Sequence, residues 1–266
     1  MNLGLFCLER MLSYRYFNLW KTFYLNFRLL PFTQAIRFPI IVWGSLRIIS
    51  LFGRVRIDTP VKTGMIHLGF KVRNDMLNPG KSVFHNDGLI IVKGEVRLYN
   101  GYYISNTKEG VIEFGKTICA NNNLIIICNN KVTIGDECRF AFGVRIMTSD
   151  VHFSVDMENH TLYTASRSIM IGNNNWITSD VKIMKGTVTP NWTIVTSGSF
   201  LNKDYTRIIG ENCILGGQPA RLIKEGQRRV FSQENEDMLR KYFIENPEVE
   251  KMVLPMDIDL DKFCKI

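Results

Sequence analysis

Residues 149–156, Ser-Asp-Val-His-Phe-Ser-Val-Asp, place one histidine between two aspartates. Histidine has an ordinary pKa near neutrality, so His152 can take a proton from a weakly acidic group without a metal. A carboxylate at Asp150 or at Asp156 can hold the imidazole ring in one orientation. We interpret His152 as a candidate general base with these two candidate partners. The alternative is a histidine on a surface loop with solvated neighbours.

The chain on both sides of this stretch repeats every six residues. Helices repeat every three to four residues and half-exposed strands every two, so a period of six is typical of a β-helix, in which each hexad forms one strand and one corner. A β-sandwich is the alternative, but it would show period two. The sequence predicts an all-β parallel fold from about 110 to 222, with inward residues at Ile134, Phe140, Ile146, Ile171, Ile177, Ile183, Thr189, Val195 and Leu201.

The six-residue repeat is interrupted between Ile146 and Ile171. This interruption predicts a loop at about 148–168 that leaves the stacked coils and carries His152. By the same count Asp150 falls on an inward position of its hexad. The asparagine runs 121–123 and 173–175 begin hexads, where a corner needs residues that tolerate positive φ.

Composition limits the class of protein. The chain has 266 residues, 45% of them hydrophobic, and a formal net charge of +8. It shows no uncharged run of eighteen apolar residues and no signal-peptide pattern, so we expect a cytoplasmic protein. The cysteines form no CxxC pair and are expected to be reduced packing residues; they are Cys7, Cys119, Cys128, Cys138, Cys213 and Cys264.

Residues 1–56 differ from the rest of the chain. Eight basic residues and one acid give this segment +7 of the formal +8. Tyr16, Trp20, Phe23, Tyr24 and Phe27 recur at helical spacing, which predicts a basic, aromatic helical segment. Such a segment either lies at the inner face of the membrane beside anionic lipid or caps the open end of the β-helix, and both roles are compatible. Nucleic acid is not an expected partner.

The remaining boundaries follow from composition. We expect the β-helix domain at 57–226, with irregular opening coils up to about 113. Residues 227–266 are expected to form a C-terminal helix and tail. The helix is predicted from the cap at Ser232 to about Glu245, because acids follow the serine and Pro247 stops the pattern.

Several motifs together resemble the hexapeptide-repeat, acetyl-coenzyme A-dependent acetyltransferases. Within that family the chain is similar to the sugar O-acetyltransferases of bacterial capsule and lipopolysaccharide synthesis, whose Asp-x-His loop is matched by Asp150 and His152. The resemblance covers about residues 110–226, and it departs from the family at Thr178 and at Thr189-Pro190. It rests on Ile171-Gly-Asn-Asn-Asn-Trp-Ile177, Val181-Lys-Ile-Met-Lys-Gly186, Gly198-Ser199 with Lys203-Asp204, and Gly217-Gln-Pro-Ala-Arg221.

The resemblance implies a left-handed parallel β-helix, a homotrimer, and acetyl-CoA bound in the groove between subunits. It implies acetyl transfer to a sugar hydroxyl with no metal, and a saccharide acceptor. Apart from the resemblance, Trp176 lies one coil after the loop and is expected near His152, in contact with the substrate, if the loop folds back. Packing between subunits is the alternative. The implied coenzyme contacts are Ser179 and Ser197 through their backbone and Asn202, Lys203 and Lys224 at the polar and phosphate end.

Three other functions stay open at this point. A γ-class carbonic anhydrase shares the β-helix but needs three histidines on zinc, and His152 and His160 lack a third at a plausible coil position. An N-acetyltransferase that acts on nucleotide-linked amino sugars uses the same coenzyme. A β-helix used only for assembly would keep the stack and tolerate loss of the loop.

Overall fold

The computed structural model describes residues 16–70 and 80–265. Its helices are α1 (Leu19–Leu29), α2 (Phe32–Ala35), α3 (Gln233–Glu245) and α4 (Leu260–Cys264). The strands of the first half are β1 (Ile40–Val42), β2 (Leu46–Ser50), β3 (Arg54–Ile57), β4 (Ile66–Phe70), β5 (Ser82–Asn86), β6 (Leu89–Val92), β7 (Val96–Tyr99), β8 (Tyr103–Asn106), β9 (Val111–Phe114), β10 (Ile118–Ala120), β11 (Ile125–Cys128) and β12 (Lys131–Ile134). The later strands are β13 (Arg139–Phe140), β14 (Arg145–Met147), β15 (Val155–Asp156), β16 (Thr161–Leu162), β17 (Ile169–Ile171), β18 (Trp176–Ile177), β19 (Lys182–Met184), β20 (Thr193–Val195), β21 (Phe200–Leu201), β22 (Cys213–Gly217) and β23 (Ala220–Glu225).

Successive strands fall in turn on three faces of a prism, and one circuit of the three faces is one coil. The first face has the order β1-β4-β7-β10-β13-β18-β20-β22-β23, the second β2-β5-β8-β11-β14-β19-β21 and the third β17-β12-β9-β6-β3. Pairing between the coils of the described chain is parallel, whereas the closing pair β22–β23 and the small hairpin β15–β16 are antiparallel. The predicted all-β parallel β-helix, with helices near both ends of the described chain, is therefore confirmed.

The interior follows the hexads. All nine inward residues named above, from Ile134 to Leu201, are at most 3% exposed, and the small positions Cys138, Val144 and Val181 are fully buried. Equivalent residues stack coil upon coil: Ile126 lies between Ile104 and Ile146 in register. Burial of these apolar side chains is the main stabilising term of the fold.

Corners need left-handed backbone at defined places. Asn123 and Asn174 have φ of 64° and 56°, as the asparagine runs predicted. Thr189, where the resemblance breaks, is buried and donates its hydroxyl to the Asn175 side chain at 2.8 Å. The departure from an apolar residue therefore has a local reason, because Thr189 provides a hydrogen-bond partner for a buried amide.

The expectations for the first third of the chain need correction. Of the segment 1–56, the described part is helical only in α1 and α2, and coils begin already at Ile40. The stretch 57–113, expected to be irregular, contains regular parallel strands in its described part. Gly44, which interrupts an apolar run in the sequence, lies between β1 and β2 with φ of 64°. The six-residue repeat is hard to recognise in this part of the sequence because the corners vary in length.

Helices lie near both ends of the described chain. α1 packs against the first coil, and its buried residues are Thr22, Leu25, Asn26 and Leu29. α3 begins where predicted, with the Ser232 hydroxyl accepting a hydrogen bond from the Asn235 backbone N–H. None of the described helices is long and apolar enough to cross a bilayer. Cys7 lies outside the described residues, and the five described cysteines are free thiols.

Candidate active site

The predicted loop leaves the β-helix between β14 and β17. An antiparallel bridge between Ser149 and Ser166 joins the two ends of the loop, and we call this bridged base of the loop the loop neck. The hairpin β15–β16 forms the outer part of the loop. Thr148 is fully buried and Ser149 is 5% exposed, whereas the side chain of Asp150 is 46% exposed. The inward position expected for Asp150 is therefore wrong, because the chain has already left the coil at this residue.

Asp150 is held by a lysine from the next coil. Its Oδ2 lies 2.6 Å from Lys185 Nζ, and the same ammonium donates to the carbonyl oxygen of Thr164 at 2.8 Å. Lys185 thus ties both ends of the loop to the coil below. No sequence motif marks Lys185 as a contact of the loop. In the folded chain Met147 pairs with Met184, which places the adjoining Lys185 beneath the loop neck.

His152 lies directly after the neck. Its backbone N–H donates to the Asp150 carbonyl oxygen at 2.8 Å, across a tight turn in which Val151 has φ of 69°. The His152 side chain is exposed. Apolar neighbours are exposed with it, Phe153 by 73% and Met157 by 81%. His152 is therefore accessible to an approaching molecule, on a loop that also exposes apolar side chains.

Asp156 stabilises the hairpin turn. Its carboxylate accepts hydrogen bonds from the backbone N–H groups of Glu158 and Asn159 and from the Asn159 side chain, each at 3.0 Å. These bonds, first that from the Asn159 side chain, hold the pKa of Asp156 below its ordinary value. In the described part of the chain neither Asp150 nor Asp156 contacts the His152 ring. The choice between the two orienting partners stays a prediction.

A cleft of about 500 Å³ opens beside the loop neck. Arg167 lines it from the returning end of the loop, and Gly186, Asn202, Lys203 and Arg207 line it from the coils, together with Val188 and Asp204. It therefore contains two of the predicted coenzyme residues, Asn202 and Lys203. Arg167 and Arg207 belong to no recognisable sequence motif, and only the folded loop brings Arg167 over Gly186.

The cleft carries three cations and one carboxylate. Arg207 Nε donates to Asp204 Oδ2 at 2.8 Å. Hydrogen bonds from Thr206 and then from Arg207 lower the pKa of Asp204, so this carboxylate stays ionised at neutral pH. Gly186 has φ of 80°, and a Cβ there would lie 3.3 Å from Arg167 Cδ. Glycine thus provides both the left-handed backbone and the room for the arginine. The remaining positive charge suits a phosphate group.

The other predicted coenzyme residues lie elsewhere on the coils. Ser179 and Ser197 occupy the corner between the first and second faces, where the Gly198 N–H donates to the Ser179 carbonyl oxygen at 2.9 Å. Gln218 reaches the same corner and donates to the Gly198 carbonyl oxygen at 2.6 Å. Lys224 is exposed on β23, opposite Ile214. The structure therefore groups Asn202 and Lys203 but places the two serines and Lys224 on other parts of the surface.

Trp176 does not lie beside His152. It projects from the first face, under the guanidinium of Arg229, whose Cζ is 4.9 Å from the ring centroid. Trp192, Phe231 and Cys264 form the centre of this cluster, against which Trp176 packs. Its observed role is to hold the C-terminal segment, and its predicted contact with substrate stays untested.

Two curated proteins are similar to parts of this chain. The chain is 35% identical over 116 residues to the galactoside O-acetyltransferase of Escherichia coli (strain K12), which is 43% of this chain and 54% of that protein. It is 33% identical over 71 residues to the polysialic acid O-acetyltransferase of Neisseria meningitidis, which is 27% of this chain and 33% of that protein. It thus spans about half the length of the first relative and a third of the second.

The chain is similar to sugar O-acetyltransferases. Among solved structures, a galactoside acetyltransferase in complex with coenzyme A is 32% identical and has a TM-score of 0.42, covering 50% of this chain and 64% of that one. No protein-family model matches the chain. Both curated relatives are named as O-acetyltransferases of saccharides, the group of enzymes that the sequence resembles.

Proposed function

We propose that this protein transfers an acetyl group from acetyl-CoA to a sugar hydroxyl of a bacterial surface polysaccharide or its precursor, with His152 as general base. The observation that carries the proposal is the exposed His152 on a loop whose neck adjoins a cation-lined cleft. The similarity to two sugar O-acetyltransferases supports the same reaction class.

In the proposed reaction the loop and the cleft have separate roles. His152 accepts the hydroxyl proton as the sugar oxygen attacks the acetyl carbon, and it returns the proton to the departing sulfur. The donor supplies an acetyl group that is already activated as a thioester. Lys185 fixes the loop neck through Asp150 and Thr164, so that the base keeps its position.

The cleft fits the phosphate end of the coenzyme. Lys203 and Arg167 offer ammonium and guanidinium donors, and Asn202 adds a neutral amide. The resemblance places Ser179, Ser197 and Lys224 along the same coenzyme. Because these residues lie on other parts of the surface, we propose that the complete site combines the surfaces of two neighbouring subunits.

Replacing Lys203 with alanine is expected to weaken CoA binding by roughly tenfold, because one charge-assisted contact to phosphate is lost. Isothermal titration calorimetry with CoA measures this directly. Lys241→Ala, which removes an exposed lysine of α3, is the matched control and should bind CoA like the wild type. Equal CoA affinity in Lys203→Ala and Lys241→Ala would remove Lys203 from the coenzyme site.

A homotrimer is the assembly that the resemblance implies, and we propose it here. Sedimentation velocity at micromolar concentration should give one species of three chain masses. A monomer that still binds CoA tightly would contradict a site built between subunits.

Acceptor chemistry is tested by CoA release. The protein is incubated with acetyl-CoA and, separately, galactosides, polysialic acid and nucleotide-linked amino sugars, and the free thiol is measured. We expect turnover with a hydroxyl acceptor and product esters that hydroxylamine cleaves. Turnover confined to the amino sugars, with an amide product, would replace the proposal by its alternative, an N-acetyltransferase.

A further inference from the structure

Helix α1 has two faces with different partners. Its inner face closes the end of the β-helix with polar side chains as well as apolar ones. The Asn26 amide donates to the Ile40 carbonyl oxygen at 2.7 Å, its oxygen accepts from the Ile40 N–H at 3.1 Å, and the Thr22 hydroxyl accepts from the Val42 N–H at 3.0 Å. The helix thereby satisfies the free edge of β1, and capping is fully achieved by this face.

The outer face of the cap is aromatic and exposed. Trp20 is 83% exposed, Phe32 is 70% exposed, and Phe23 and Tyr24 are each 51% exposed. We call these four residues the aromatic face. The Phe27 ring lies 4.5 Å from that of Phe23 and thereby connects the face to the cap. None of the four side chains is needed to close the coil, and exposing so many aromatic rings together is unusual for a surface that contacts only water.

The charge around this face has one sign. Residues 16–57 contain six Lys and Arg residues and no Asp or Glu. Arg28, at the end of α1, and Arg37, just after α2, are exposed. Tryptophan and tyrosine favour the headgroup region of a bilayer, and arginines beside them are attracted by anionic lipid.

We propose that the aromatic face docks on an anionic lipid surface. Anionic headgroups complement the exposed Arg28 and Arg37, whereas a second copy would bring an equal positive surface against the first. The aromatic rings enter the headgroup region, Arg28 and Arg37 pair with lipid phosphates, and the β-helix stands away from the membrane. The docking needs no acetyl transfer, so it stands or fails separately from the proposed function.

Vesicle sedimentation tests the docking. The full chain is mixed with phosphatidylcholine vesicles that contain or lack phosphatidylglycerol, at low and at high salt. We expect binding that requires phosphatidylglycerol and falls at high salt. Arg28→Gln with Arg37→Gln should weaken binding by roughly fivefold per arginine. Arg240→Gln with Lys241→Gln, which removes two exposed charges of α3, is the matched control and should change binding little.

Tryptophan quenching locates the contact. Trp43 and Trp192 are 9% and 7% exposed, and Trp176 lies under Arg229. Brominated lipid should therefore quench chiefly Trp20, and the quenching should disappear in Trp20→Phe while that variant still sediments with the vesicles. Trp20→Ser with Phe32→Ser should lower partitioning by at least tenfold without changing the circular dichroism spectrum.

Three results would overturn the proposal. The first is equal recovery with neutral and anionic vesicles. The second is full vesicle binding by Trp20→Ser with Phe32→Ser. The third is a change in oligomeric state in that variant with vesicle binding unaffected, which would assign the aromatic face to a second copy of the chain.

Discussion

Replacing His152 with alanine is expected to lower kcat by 10²- to 10⁴-fold, or about 3–5 kcal/mol of barrier, because a positioned general base contributes that much. The acceptor hydroxyl then has no group to take its proton, while the donor thioester remains as reactive as before. Initial rates of CoA release, measured with the acceptor found in the screen, give the effect.

The same variant should keep its fold and its coenzyme. His152 is exposed on a loop outside the stacked interior, so the melting temperature should move by only a few degrees. CoA affinity should persist, since the cleft residues are unchanged. His160→Ala, in the turn of the same loop, is the matched control and should retain nearly full activity. If His152→Ala keeps more than about a tenth of the wild-type kcat, His152 is not the base, and His160 becomes the next candidate.

The two aspartates can be separated by the same assay. Asp150→Asn removes the ionic partner of Lys185, and Asp156→Asn disturbs the hairpin turn. A residue that orients the imidazole should alter the pH profile of kcat when changed. A residue that only holds the loop should lower kcat evenly across pH.

Ile126→Ala is expected to lower the free energy of unfolding by about 2–5 kcal/mol. Ile126 is fully buried between Ile104 and Ile146 of the adjoining coils, which are 1% and 0% exposed. Truncation leaves a cavity that a rigid stack cannot refill, because each coil is fixed by strand pairing on both sides. Urea unfolding followed by circular dichroism provides the measurement, with the slope compared between variants.

The neighbouring residue supplies the control for this experiment. Ile125 precedes Ile126, points outward and is half-buried. Ile125→Ala removes the same atoms and should cost about 1 kcal/mol or less. Equal losses at both positions would mean that the alternation of inward and outward residues does not decide stability here.

The sequence predicted the interior well because one physical constraint acts on every coil. Nearly every hexad places an apolar residue inside, so Ile134, Phe140 and Ile183 could be located without coordinates. The loop was also predictable from the sequence, since its length interrupts the six-residue repeat. The strands before residue 57 were missed because the aromatic spacing of α1 dominates that segment, and the coils after it were expected to be irregular because their corners vary in length.

Contacts between distant segments were harder to predict. The pair between Asp150 and Lys185 depends on the path of the loop neck, and the cluster around Trp176 depends on how residues 229–231 return to the first face. Neither contact can be predicted from a local sequence pattern. The candidate base was therefore predictable from the sequence, whereas its positioning residue and Arg167 in the cleft were not.

The order of strands on the second face also sets the distance along the β-helix axis between the first coil and the loop that carries His152. From β2 to β14, where the loop departs, the face has four strand steps of ~4.8 Å, or ~19 Å along the axis. A protein that stands on a membrane by its α1 end would hold His152 farther from the lipid than this, because α1, about 10 Å across, lies between the first coil and the membrane. A saccharide anchored in that membrane must be long enough to span the gap before it can react. The length of the β-helix would then favour longer saccharide chains over newly started ones as acceptors.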